Sequence, residues 1–134
     1  MNNIFEGIQS HLGFLEAALT TAEKMLAAAI KNEVDAVSND ADNFERLLHI
    51  IEKTQKNIEQ QIYLLDPKEV RMDQLEILRM WVQEVNLLTE KINRVDEQTL
   101  EQLNQLKDQT GAEIASVFAN KEKIRGYAFN SVKK

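Results

Sequence analysis

Two histidines, His11 and His49, are the residues best suited to proton, phosphoryl or metal chemistry in this chain. Glu45 stands four residues before His49, so on a helix the two side chains share one face, a spacing that fits an ordinary surface pair better than a ligand pair. Neither histidine sits in the Glu-x-x-His arrangement of di-iron bundles, so no metal is expected. A solvent-facing histidine on an acidic helical bundle could accept a phosphoryl group. The lysine and small residue that usually follow such a histidine are missing, because Leu12-Gly13-Phe14 follows His11 and Ile50-Ile51-Glu52 follows His49. There is no cysteine, which removes disulfides, zinc-thiolate sites and thiol catalysis together. No glycine-rich phosphate loop and no Ser-His-acid grouping stands out. The chain reads as non-enzymatic, with neither cofactor nor metal.

The elements that position these residues are helices. The 134 residues include only four glycines and one proline, far fewer than the turns of a multi-stranded sheet require, and they suit one domain, 1–134. The first stripe, Ile4, Ile8, Leu12, Leu15, Leu19, Ala22, Met25 and Ala29, predicts a helix over about 3–31, with Glu16, Thr20, Glu23, Lys24 and Lys31 on its wet side. A second, Val34, Val37, Ala41, Phe44, Leu48, Ile51, Gln55, Ile58, Ile62 and Leu65, keeps a seven-residue repeat and predicts a helix over about 33–64 with coiled-coil-like packing. Gln55 is read as a bundle-end residue reaching water, with a register-fixing role as the alternative. Between the two helices Asn32 can take the left-handed conformation that ends helices.

Asp66-Pro67 marks the next start, with Asp66 as N-cap and Glu69 able to close a capping box, and the short turn predicts antiparallel neighbours. Helix three then follows Ile77, Leu78, Trp81, Val85, Leu88, Ile92 and Val95, with Trp81 read as a core residue. Leu103, Leu106, Thr110, Ile114 and Val117 continue in phase. The fold expected is therefore an all-α antiparallel bundle of three long helices, the third (67–95) either continuous or kinked near Asp96 into a fourth, 97–125. Gly126 ends the pattern, and 126–134 is a loose tail carrying the aromatics Tyr127 and Phe129, while Lys121, Lys123, Arg125, Lys133 and Lys134 make the end of the sequence locally basic. A continuous rod would overhang and leave Leu103, Leu106, Ile114 and Val117 bare for a partner, and this docking alternative is preferred.

The net charge of −6 disfavours nucleic acid as a partner, and no run approaches the ~20 apolar residues of a membrane span. No signal-peptide pattern opens the chain, so a cytoplasmic location is expected. An apolar helix face with contacts at i, i+3, i+4 and i+7 fits an amphipathic protein partner, and a homodimer is left open.

Leu15 to Leu48, with Ala29-Ile30-Lys31-Asn32-Glu33-Val34-Asp35-Ala36-Val37 and Asn43-Phe44-Glu45-Arg46-Leu47-Leu48, resembles the opening hairpin of flagellar export chaperones of the FlgN/FliT type. The size, acidity, absent cysteine and the Lys121-Glu122-Lys123-Ile124-Arg125-Gly126-Tyr127 segment are also similar. The resemblance implies a cytoplasmic chaperone that holds hook-associated or filament-cap subunits and delivers them to the export gate. It implies cargo contacts at Leu103, Leu106, Ile114 and Val117, and a gate contact at Tyr127. Phe118 joins them as an aromatic where the helical pattern runs out.

Overall fold

A computed structural model of the chain describes residues 1–110, and everything below concerns these; the segments predicted beyond Thr110 lie outside the described residues. All their regular structure is helical: α1 (Asn2–Ile30), α2 (Val34–Tyr63), a 3-10 turn (Pro67–Glu69) and α3 (Met72–Thr110). No helix among them is long and apolar enough to cross a membrane.

The α1–α2 connection follows from Asn32, whose φ of 60° is the only positive value at a non-glycine residue among the described ones. With the chain turned left-handed there, the Glu33 N–H donates to Ala28 O (2.9 Å) and the Asn32 N–H to Ala29 O (3.2 Å). Two carbonyls that the helix end would otherwise orphan are thus satisfied. The hairpin folds back so that Gly7 lies against Ile58 at the open end and Ala28 clusters with Val37 at the closed end. A Cβ on Gly7 would come within 3.1 Å of Ile58 Cγ1, so the glycine lets the two helices approach there.

The second junction differs from the prediction. Asp66 does cap, its Oδ1 accepting from the Lys68 N–H at 3.0 Å, but it caps only the 3-10 turn, and Val70 is extended. The long helix starts five residues later than Pro67, at Met72. There the Gln74 side chain reaches back to the Arg71 N–H (3.0 Å), the backward half of a capping box. From Met72 the helical hydrogen-bond ladder runs unbroken through Asp96 to Thr110, so no helix ends near residue 95.

Helix α1 is the shared spine. It packs against both α2 and α3, whereas no Cα of α2 comes within 8 Å of one in α3. The expected direct pairing of the second and third helices is therefore replaced by two pairings with the first. The main core joins Ile4, Ile8, Leu15, Ala18, Ala22 and Met25 of α1 to Phe44, Leu48, Ile51 and Ile58 of α2 and to Trp81, Val85, Leu88 and Ile92 of α3.

The overhang expected of the third helix is also corrected, at least through Leu106. Leu103 and Leu106 are buried, clustering with Ala28, Ala29 and Val37 at the closed end of the hairpin. The late start at Met72 slides α3 back along α1 by about 7 Å, at ~1.5 Å per residue, which brings these leucines level with the hairpin's end. Leu103→Ala should therefore cost about 2–5 kcal/mol in urea unfolding, the usual range for an emptied core leucine, where an overhanging leucine would cost almost nothing. At the turn, Asn32→Val should cost about 1–2 kcal/mol because a β-branched residue resists positive φ, while Asn32→Gly should stay within about 0.5 kcal/mol of the parent in the same assay.

Candidate functional site

The residues singled out for chemistry separate completely. His11 sits on the α1 face that meets both other helices and is fully buried. Its Nδ1 accepts a hydrogen bond from the Trp81 Nε1–H at 3.1 Å, and the rings meet edge to face with centroids 5.4 Å apart. An acceptor at Nδ1 fixes the neutral tautomer with its proton on Nε2. Gln55 of α2 lies on the other side; its Nε2 donates to Glu59 Oε1 at 3.1 Å. The expectation that Gln55 reaches water at a bundle end is wrong, because the residue is buried beside His11 in a polar layer that all three helices contribute to.

Burial lowers the His11 pKa from 6.5 to about 4, against the smaller opposing effects of the Gln55 side chain and the Glu59 charge. An imidazole so enclosed, with one nitrogen held by Trp81, is no acceptor for a phosphoryl donor arriving from solvent. His49 is exposed, 3.9 Å from Glu45, the surface pair that the four-residue spacing suggests. Among the described residues no group of three or more His, Cys, Asp or Glu side chains could hold a metal ion.

The feature that asks for a functional account lies on α3, and sequence reasoning missed it. One stripe of this helix, Trp81, Val85, Leu88, Ile92, Leu103 and Leu106, is buried in the two clusters built on α1. A second stripe runs beside it at steps of three and four: Leu75, Leu78, Val82, Asn86, Thr89, Asn93, Asp96 and Leu100. Its burial runs partly against its polarity. The apolar half is open, with Leu75 43% and Val82 51% exposed, whereas in the polar half Thr89 is 8% and Asp96 0% exposed. Thr89 Oγ1 and Asn93 Oδ1 are buried without a hydrogen-bond partner, although Thr21, Thr54 and Thr99 each satisfy their hydroxyl on the carbonyl four residues earlier. A depression of about 330 Å³ follows this half, lined by Asn86, Thr89, Glu90, Asn93, Arg94 and Glu97.

More exposed apolar residues gather at the same end of the helix. Met72, Ile77, Met80 and Leu87 of α3 are open, as are Tyr63 and Leu64 at the end of α2, while α1 exposes only Ile30 among its large apolar side chains. Among the described helices α3 packs on α1 alone, which accounts for one buried face of it. Of the residues predicted to bind a partner, Leu103 and Leu106 are core residues here, and Ile114, Val117, Phe118 and Tyr127 lie outside the described residues. A count of apolar positions on both flanks of the third helix, rather than on its best single stripe, would have found Leu75 and Val82.

No known protein family, curated protein or solved structure matches this chain, and none of these comparisons identifies a flagellar chaperone.

The buried histidine makes stability depend on pH with a definite sign. His11 stays neutral in the folded chain down to about pH 4, whereas in the unfolded chain it takes up a proton near 6.5. The folded state is therefore favoured fully above about pH 6.5, and that advantage is lost as pH falls through 6.5 towards 4, by up to about 3 kcal/mol. Urea unfolding between pH 7 and 4 should show this slope, and His11→Gln should flatten it.

Proposed function

We propose that this protein is a cytoplasmic, non-enzymatic chaperone of the flagellar-export type, which holds hook-associated or filament-cap subunits by an amphipathic helix and hands them to the export gate. The open apolar half of the second stripe on α3 carries this reading: Leu75 and Val82, exposed side by side with half-buried Leu78, offer the spacing on which an amphipathic helix docks. Met72 and Met80 flank the row, and unbranched thioether side chains adapt to clients of differing shape. The pattern-level likeness of Leu15 to Leu48 to the flagellar chaperone hairpin names the client class. On this reading the first half of α3 holds the client, and Ile114, Val117, Phe118 and Tyr127 are further contacts that the resemblance suggests. Leu103 and Leu106 could join only if α3 parted from the hairpin. A fourth helix over residues 97–125 is not part of the proposal, because α3 continues through Asp96 to Thr110.

A coiled-coil adaptor with a constitutive protein partner is the second reading, favoured by the same exposed row and by the seven-residue repeat of α2. Calorimetry with carboxy-terminal peptides of hook-associated and cap subunits from the same genome separates the two. The chaperone reading expects micromolar or tighter binding, weakened at least tenfold, about 1.4 kcal/mol, by Leu75→Asp combined with Val82→Asp. Both sites are exposed, so the double variant should keep its helicity and unfold within about 1 kcal/mol of the parent. No binding by any such peptide removes the chaperone reading and leaves the adaptor.

A further inference from the structure

Helix α3 has another open flank, on the side of its buried stripe away from Leu75 and Val82. Asp73, Ile77, Met80, Glu84, Leu87 and Lys91 follow one another there at alternating steps of four and three, and all six are exposed. Ile77 is 40%, Met80 56% and Leu87 46% exposed, and none of the three belongs to the clusters that join α3 to α1. The helix is uninterrupted across this span, so the six side chains form one seam about 27 Å long, at ~1.5 Å per residue.

We propose that this seam binds the same seam of a second copy of the chain, antiparallel and about a two-fold axis level with residue 82. A two-fold contact requires that when one residue meets another, the second also meets the first. Reversing the seam about residue 82 satisfies this: Ile77 lies opposite Leu87 of the second copy, Met80 opposite Glu84, and Asp73 opposite Lys91. Apolar meets apolar and acid meets base, while the Glu84 methylenes cover Met80 and its carboxylate reaches the rim. A parallel pairing would instead set Glu84 against Glu84 and Lys91 against Lys91, which repel. Asp73 is already held by Arg71 at 3.1 Å, in an exposed pair whose carboxylate has room for a second donor. Glu76 and Glu90 meet along the outer edge, and each brings its own arginine, Arg79 at 3.2 Å and Arg94 at 2.7 Å. Charge along the chain singles out the same stretch. Residues 1–70 hold six basic and 12 acidic residues, a balance of −6, and 95–110 hold one and four, −3, whereas 71–94 hold four of each, a balance of zero. Two acidic copies therefore repel least where the seam lies. A helix of another protein would gain nothing from a charge order that matches its own reverse. Size sets the strength: a seam ~27 Å long on a helix ~10 Å wide covers about 300 Å² per copy in projection, against the about 800 Å² of a standard interface, so the dimer is weak and reversible. The proposal does not rest on the chaperone reading, because the client row lies on the other flank.

Sedimentation equilibrium of the full chain tests this. Between about 5 and 500 µM the chain should pass from monomer to dimer, with a dissociation constant of tens of micromolar or weaker. Ile77→Asp with Leu87→Asp should abolish the dimer while the dilute chain keeps its helicity. Glu84→Leu should tighten it about tenfold, because an apolar side chain then faces Met80 in both layers. Orientation is read from charge. Asp73→Lys alone, or Lys91→Glu alone, should weaken the dimer about fivefold by setting like charges face to face at both ends of the seam, and the two changes in one chain should restore it. A monomer at every concentration overturns the proposal, as does a dimer that survives Ile77→Asp with Leu87→Asp. Single charge changes without effect overturn the antiparallel pairing, since a parallel pair would be indifferent to them. Loss of the dimer on Leu75→Asp with Val82→Asp would put the interface on the client row and overturns the proposal too.

Discussion

Among the described helices everything hangs on α1, because it is the one that both others touch. Its buried face makes the double contact feasible by alternating bulk with near-absence of bulk: Leu15 and Met25 fill space, while Ala18, Ala22, Ala28 and Ala29 let neighbouring helices come close. Against this spine the polar layer at His11 sets the register. A slide of α3 by one turn would take the Trp81 N–H from its acceptor inside the core, and an orphaned buried donor costs about 1–3 kcal/mol. Apolar stripes alone tolerate such slides better, since every seventh position offers another hydrophobic contact.

A spine that separates its two partners has a consequence for α3. That helix carries two stripes but has one described neighbour, so burial by α1 accounts for the first stripe only. Soluble helices normally present polar residues on the remaining surface. Here the first half of α3 presents Leu75, Ile77, Met80, Val82 and Leu87 instead, while further along Thr89 Oγ1 and Asn93 Oδ1 are buried without a hydrogen-bond partner. Folding alone gives no reason for either half, because exposed leucine contributes little to stability and buried unpartnered oxygen subtracts from it. The proposed binding role is what would account for an arrangement unfavourable twice over.

Much of the architecture was legible in the sequence because it rests on local rules. Apolar spacing located the helices to within a residue or two for the first pair, and Asn32 announced its own turn through its tolerance of positive φ. Most of the misreadings share a cause, a contact between helices, about which spacing is silent. Gln55 reads as water-facing because it is polar, yet it lies in the core beside His11. Pro67 suited a helix start and started only a 3-10 turn, and that five-residue delay is what carries Leu103 and Leu106 from a supposed overhang into the core. The second stripe escaped because a single best stripe explains α3 well enough. Nothing in one sequence says how many neighbours a helix has.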